Sequence, residues 1–280
     1  MTENKGEAPH VSAEAKKRRL DALSKLLDTI DHLRDPGGCP WDREQTVATM
    51  TPYIVEEAHE LAEAVEAGTE ADVVAEAGDV LMVVAMIARI AQESGRFDLA
   101  DCAVSITEKL VRRHPHVFGE VVADDADAVL SNWELIKKSE REAKGEDASA
   151  LAGVPRSLPG LQRAARMSEK AVRAGFRWPD ARGALAKVRE ELAELEDAFG
   201  VSPPKDEERL RRVEEELGDV LIAGAFLGSY LGLDPERACK RALERFEARF
   251  RHMEAEVEGA LSDHDLDHLM AAWKRAKRAT

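Results

Sequence analysis

Eight carboxylates in two matching sets carry the chemical content of this sequence. Glu57 and Glu60 are three residues apart, and so are Glu76 and Asp79. Residues at that spacing share one face of a helix. Two helices joined by a short loop run antiparallel, so the two acidic pairs can converge on one point. The same pattern returns as Glu191 and Glu194, followed by Glu216 and Asp219. Four carboxylates around one point repel one another in a partly desolvated site. Such a group is stable only with cations among them. Hard oxygen donors without His or Cys suit magnesium, with manganese as the substitute. Each set leads into an apolar stretch, from Val80 and from Val220. Both stretches are hydrophobic on all faces, and each is expected to form a buried helix. An ordinary solvated Glu-rich face needs no such neighbour.

An internal repeat positions the two sets. Glu56-Glu57-Ala58-His59-Glu60 recurs as Glu190-Glu191-Leu192-Ala193-Glu194, and Glu76-Ala77-Gly78-Asp79 recurs as Glu216-Leu217-Gly218-Asp219. Glu108-Lys109-Leu110 matches Glu244-Arg245-Phe246, and Trp133 and Lys137 match Trp273 and Lys277. Trp41, in Gly38-Cys39-Pro40-Trp41-Asp42, resembles Trp178 in Gly175-Phe176-Arg177-Trp178-Pro179-Asp180. These features keep one order, so the chain reads as two copies of one unit. The copies are expected over 19–140 and 155–280, after a flexible tail over 1–18 and with a linker over 141–154. Helical spacing runs from Leu20 to Leu33 and stops at Pro36-Gly37-Gly38. Further helices are expected over 54–67, 80–91 and 99–113. Only 5% of residues are aromatic, and 34% are charged. With Glu, Ala, Leu and Arg dominant, the fold class is all-α, with tandem helical-hairpin domains.

The net charge of −15 disfavours nucleic acid and anionic membranes as partners. An anionic substrate then needs a local inversion of sign, which a divalent cation supplies. Cys39, Cys102 and Cys239 show no paired spacing, so neither a disulfide framework nor a zinc motif is expected. Free thiols suit a reducing cytosol. No apolar leader opens the sequence. The run from Val80 to Ile90 contains Arg89 and falls well short of the roughly 20 residues that span a bilayer. A cytoplasmic protein is expected. Glu56-x-x-His59 looks like half of a di-iron motif, but such bundles need two halves. The second copy has Ala193 in place of His59, so iron is not expected.

Several longer strings resemble the MazG family within the all-α NTP pyrophosphohydrolases. In the first copy these are Gly38-Cys39-Pro40-Trp41-Asp42-Arg43-Glu44-Gln45-Thr46 and Arg112-Arg113-His114-Pro115-His116-Val117-Phe118. In the second they are Lys187-Val188-Arg189-Glu190-Glu191, Glu214-Glu215-Glu216-Leu217-Gly218-Asp219 and Ala242-Leu243-Glu244-Arg245-Phe246. That family's motif is Glu-Glu-x-x-Glu, a variable spacer, then Glu-x-x-Asp. The resemblance covers nearly the whole chain. It implies magnesium-dependent attack of water on the α-phosphorus of an NTP or dNTP, releasing pyrophosphate and serving broad nucleotide-pool sanitising. It also implies four-helix cores assembled across copies or chains, hence a homodimer.

By position, the resemblance makes Glu57, Glu60, Glu76 and Asp79 metal ligands in the first copy. Glu191, Glu194, Glu216 and Asp219 take that role in the second. Glu190 or Glu215 is implied as the acid that orients or deprotonates water. Lys187, Arg245 and Lys277 are implied as phosphate contacts, with Arg212 near enough to reach the site. Trp273 packs against a base or against its own helix. Lys109 and Arg113 supply cations in the first copy. The chain departs from the pattern at Leu243, where the family has Asn, and at Arg245, where it has Lys. Tyr53 stands at the position matching Lys187. The second copy is therefore expected to carry the main activity. A narrower dUTP- or phosphoribosyl-ATP-type pyrophosphohydrolase and a catalytically inactive helical scaffold or regulatory protein are the alternatives.

Overall fold

The computed structural model describes residues 11–122, 125–145, 147, 149–201, 203, 206–257 and 259–279. The first ten residues of the expected tail, and residues 146 and 148 of the expected linker, lie outside the described residues. Among the described residues every regular element is helical. The chain divides into two compact units, with the boundary just before Asp125.

In the first unit, α1 covers Ala13–Arg34. It begins earlier than the sequence suggested: Lys16-Lys17-Arg18-Arg19, assigned to a tail, are helical. The reason is local. The Ser12 hydroxyl accepts from the Ala15 amide at 3.1 Å, which satisfies a donor the first turn otherwise leaves orphaned, and neither Gly nor Pro interrupts the run to Leu20. Next comes α2 (Pro40–Glu44), with proline in its first turn. The hairpin follows as α3 (Thr51–Ala67) and α4 (Glu70–Glu93). Only Gly68 and Thr69 separate them. Thr69 and Asp72 form a reciprocal capping box, the Thr69 amide donating to Asp72 at 2.8 Å and the Asp72 amide to the Thr69 hydroxyl at 3.3 Å. The unit is completed by α5 (Leu99–Arg113) and α6 (Pro115–Phe118).

Ile30, Met50, Val83, Ala85, Met86 and Ile90 form the core of this unit. The helix expected to be buried on all faces is buried on one. Val83, Met86 and Ile90 point into the core, while Leu81 is 55% exposed and Met82 and Val84 are also exposed. A unit this small has too few helices to cover both sides of α4.

The second unit comprises α7 (Ala126–Ala143), α8 (Gly160–Arg173), α9 (Ala181–Phe199), α10 (Glu207–Tyr230), α11 (Pro235–Glu256) and α12 (Leu266–Ala279). Here α9 and α10 form the hairpin. Asp180 and Asp206 cap their N-termini through the amides of Gly183 and Arg209. In α10 Ala223 and Ala225 are buried, while Leu217, Leu221 and Ile222 are exposed, so this helix too is covered on one face only. α11 and α12 close on Met253, Val257, Ala272 and Ala276. The helix carrying Trp133 and Lys137 was expected to end the first unit at 140. It groups with the second instead, where the Glu134 carboxylate pairs with Lys170 at 3.5 Å and Arg173 at 3.7 Å. No single helix among the described residues is long and apolar enough to cross a membrane.

One side chain ties the first unit together. Arg34, 8% exposed at the end of α1, grips Glu93 at the end of α4 through two bonds of 2.6 and 2.7 Å. Its remaining nitrogen donates to the carbonyls of Asp42 and Gln45. Arg34→Met leaves Glu93 only its 3.1 Å pair with Arg89 and leaves these carbonyls without their donor. The loss expected is about 2–3 kcal/mol, read as a lower urea midpoint at unchanged slope; a midpoint equal to wild type would show that the clamp carries no stability.

Candidate metal centre

Helix geometry explains which carboxylates meet. At 1.5 Å per residue, Glu57 lies about 15 Å before the end of α3 and Glu60 about 10 Å, while Glu76 lies about 9 Å and Asp79 about 14 Å into α4. With a two-residue turn between antiparallel helices, Glu57 stands level with Asp79 and Glu60 with Glu76. Oxygens of Glu57, Glu76 and Asp79 lie within 4.8 Å of one another. Glu60 is exposed and outside this trio, but its carboxyl reaches that of Glu76.

In the second unit the corresponding trio is Glu191, Glu194 and Glu216, again within 4.8 Å. Asp219 is exposed and is not part of it. Counted from the turn, Asp219 lies about 18 Å into α10, deeper than Glu191 at about 12 Å and Glu194 at about 8 Å before the end of α9. Both trios present hard oxygens alone. Oxygens on opposite sides of a magnesium ion stand about 4 Å apart, from bonds of about 2.0–2.1 Å. Small side-chain rotations would let either trio enclose such an ion, so the residues fit the cation that the sequence implied.

The electrostatics agree. Desolvation pushes the carboxyls of Glu57 and Glu76 above the usual range, and neighbouring carboxylates push them further. Asp79 acts most strongly among the charges on Glu57, and Glu60 on Glu76. Glu194 is raised by desolvation and then by Glu191. The second centre also holds a cation. Lys187 donates to Glu190 at 2.6 Å and sits 2.7 Å from the buried Glu191. Hydrogen bonds to these two carboxylates hold its ammonium well above the usual lysine range. This pairing was readable from the i,i+3 and i,i+4 spacing; the resemblance had pointed Lys187 at phosphate.

The other residues singled out in the sequence are distributed more widely. Glu215 is exposed and pairs with Arg211 at 3.4 Å. Arg212 is exposed on α10, Arg245 on α11 and Lys277 in the last turn of α12. Trp273 is half-buried against Phe246, ring centroids 5.2 Å apart, as part of the α11–α12 core. Lys109 and Arg113 are half-buried on α5. Trp41, matched to Trp178 in the sequence, stays 53% exposed and meets Tyr53 edge to face, ring centroids 6.0 Å apart.

An all-α hairpin on which hard carboxylate oxygens converge is a candidate divalent-cation site. The comparisons with known proteins supply the family. The model of the MazG nucleotide pyrophosphohydrolase domain matches residues 45–118, which hold the first centre. A nucleoside triphosphate pyrophosphohydrolase of Escherichia coli K12 is 40% identical over 265 residues, covering 92% of this chain and 98% of the relative. A Thermotoga maritima protein, nucleoside triphosphate pyrophosphohydrolase/pyrophosphatase MazG, is 38% identical over 258 residues, covering 91% and 95%. An uncharacterized Bacillus subtilis protein, YabN, is 37% identical over 258 residues, 91% of this chain but 51% of the relative. The chain belongs to the MazG family.

A raised carboxyl pKa costs the fold nothing below the unfolded value and its full penalty above the folded one. At neutral pH Glu57→Gln removes that penalty. In EDTA at pH 7.5 the variant is expected to melt above wild type, with the gap closing as pH falls below 4. If the trio takes up magnesium, adding it is expected to reverse the order, because a ligand that binds only the folded state raises its melting temperature. A variant that melts below wild type in EDTA would count against crowding of the carboxylates.

Proposed function

We propose that the chain hydrolyses nucleoside triphosphates to monophosphate and pyrophosphate with magnesium, manganese serving as a substitute. It acts broadly on the nucleotide pool, on NTPs and dNTPs. The observation that carries this reading is the convergence of hard carboxylates on each hairpin of a MazG-family chain. Glu57, Glu76 and Asp79, with Glu60 beside them, would hold a cation in the first unit, and Glu191, Glu194 and Glu216 in the second. When bound, the metal neutralises and orients the triphosphate and acidifies a water. The protein's own residues do the rest. Lys187, and Arg245 and Lys277 by family position, draw in the phosphates. Glu190, next to Lys187, or Glu215 takes the water's proton. The second unit carries the main turnover, supported by its lysine where the first has Tyr53. The chain duplicates one unit and works in the reducing cytoplasm; its three cysteines are free.

The working form is a homodimer. Exposed Leu81, Met82 and Val84 on α4 and Leu217, Leu221 and Ile222 on α10 support this reading, because monomers rarely leave such contiguous apolar faces in water. Leu221→Glu is expected to shift the mass measured by light scattering from dimer toward monomer. An unchanged dimer would take α10 out of the interface.

The activity itself is tested by pyrophosphate release from a panel of NTPs and dNTPs, with and without magnesium, comparing wild type with Glu60→Gln and Glu194→Gln. The expected result is metal-dependent release, reduced at least 100-fold in Glu194→Gln and retained in Glu60→Gln, since mispositioning a phosphate-neutralising metal costs several kcal/mol of barrier. Loss only in Glu60→Gln would move the activity to the first unit. No release from any nucleotide with either metal would leave a helical scaffold.

A further inference from the structure

One turn before the leading carboxylate of each centre, the two units carry different chemistry. In the first unit the residue is Tyr53, four before Glu57; in the second it is Lys187, four before Glu191. A side chain at that spacing shares the helix face of the carboxylate. Lys187 uses its place to hold Glu191 at 2.7 Å and Glu190 at 2.6 Å. The Glu191 side chain is 9% exposed and that of Lys187 34%, so the ion pair is shielded from water on its carboxylate side. The phenol of Tyr53 is uncharged and its ring packs edge-on to Trp41. The charges acting most strongly on Glu57 are other carboxylates.

We propose that Lys187 is a built-in counter-ion that competes with the divalent cation for Glu191, so that the first centre loads at lower metal concentration than the second. The inference rests on the metal-centre reading above. For a metal to take the Glu191 oxygen, the ammonium must give up a charge-assisted hydrogen bond in a half-dry place. Once displaced it remains a like charge a few ångströms from the metal. Both effects weaken binding at the second centre, and Tyr53 imposes neither on the first. The displaced ammonium is then available to an anionic substrate. A triphosphate gives it a new partner, so nucleotide and metal must strengthen each other's binding at the second centre. Lys187 thus couples metal loading to substrate, while the first centre fills without it.

The test is a manganese titration of the full chain without nucleotide, following free Mn2+ by its paramagnetic resonance signal. Wild type is expected to show two classes of site, the tighter one abolished by Glu57→Gln. Lys187→Met should tighten the weaker class about tenfold, the order of effect of one like charge at short range in a half-wet site. Tyr53→Lys should weaken the tighter class by a similar factor; this second variant does not depend on how Glu191 behaves without its lysine. A purely structural lysine predicts the opposite sign, with metal binding weakened in Lys187→Met, and that result overturns the proposal. Two classes insensitive to both substitutions overturn it too, while leaving the metal centres in place. No manganese bound to wild type removes the metal reading and this inference together.

Discussion

Like charges held within a few ångströms of one another are the constraint on which the rest of the structure depends. Three carboxylates within 4.8 Å oppose the packing of the helices that carry them. The α3–α4 hairpin must therefore be held by forces applied elsewhere. The Thr69–Asp72 box sets the turn. Val83, Met86 and Ile90 anchor α4 against Ile30 and Met50. Arg34 locks the far end of α4 to α1 and α2 through Glu93 and two backbone carbonyls. The stabilising contacts surround the acidic group without neutralising it.

The two units meet the same constraint differently. The first has a two-residue turn that sets Glu57 level with Asp79, and no lysine one turn upstream. The second has a longer connection between α9 and α10, from Gly200 to Asp206. Its trio draws two members from α9 and one from α10, and Asp219 is left exposed. Lys187 relieves part of the repulsion from within. Aromatic usage differs in parallel. Trp41 is exposed beside Tyr53, whereas Trp178 is fixed by the Tyr230 hydroxyl on its amide at 2.7 Å and by Gly183, whose missing side chain leaves room for the indole. The two units thus share the acidic spacing and differ in the residues beside each acidic group.

What could be read in the sequence follows from the range of the interactions. The Glu-x-x-Glu and Glu-x-x-Asp pairs are local, and the repeat gave their significance, so six of the eight carboxylates gather as expected. Asp219 stands outside its trio because relative helix depth depends on the length of the connection, which spacing within one helix does not encode; Glu60 is level with Glu76 and reaches it without joining the trio. The Arg34–Glu93 clamp joins residues 59 apart and follows no periodicity. The start of α1 was placed too late because basic residues near a terminus suggest a solvated tail, while the Ser12 cap decides otherwise. Grouping of the Trp133 helix with the second unit depends on Glu134 meeting Lys170, a pairing that the repeat conceals, since Trp133 and Lys137 match the helix that ends the second copy.

The half-covered helix keeps two kinds of surface apart. Of the exposed apolar residues on α4, Met82 stands three residues from Asp79 and shares its face, while Leu81 and Val84, two and five residues on, lie round the far side. Glu57 and Glu76 are raised by desolvation with the apolar side open to water, so their crowding comes from the hairpin's own packing. Covering Leu81 and Val84 satisfies the hydrophobic constraint and leaves the charge repulsion to be met from within the hairpin.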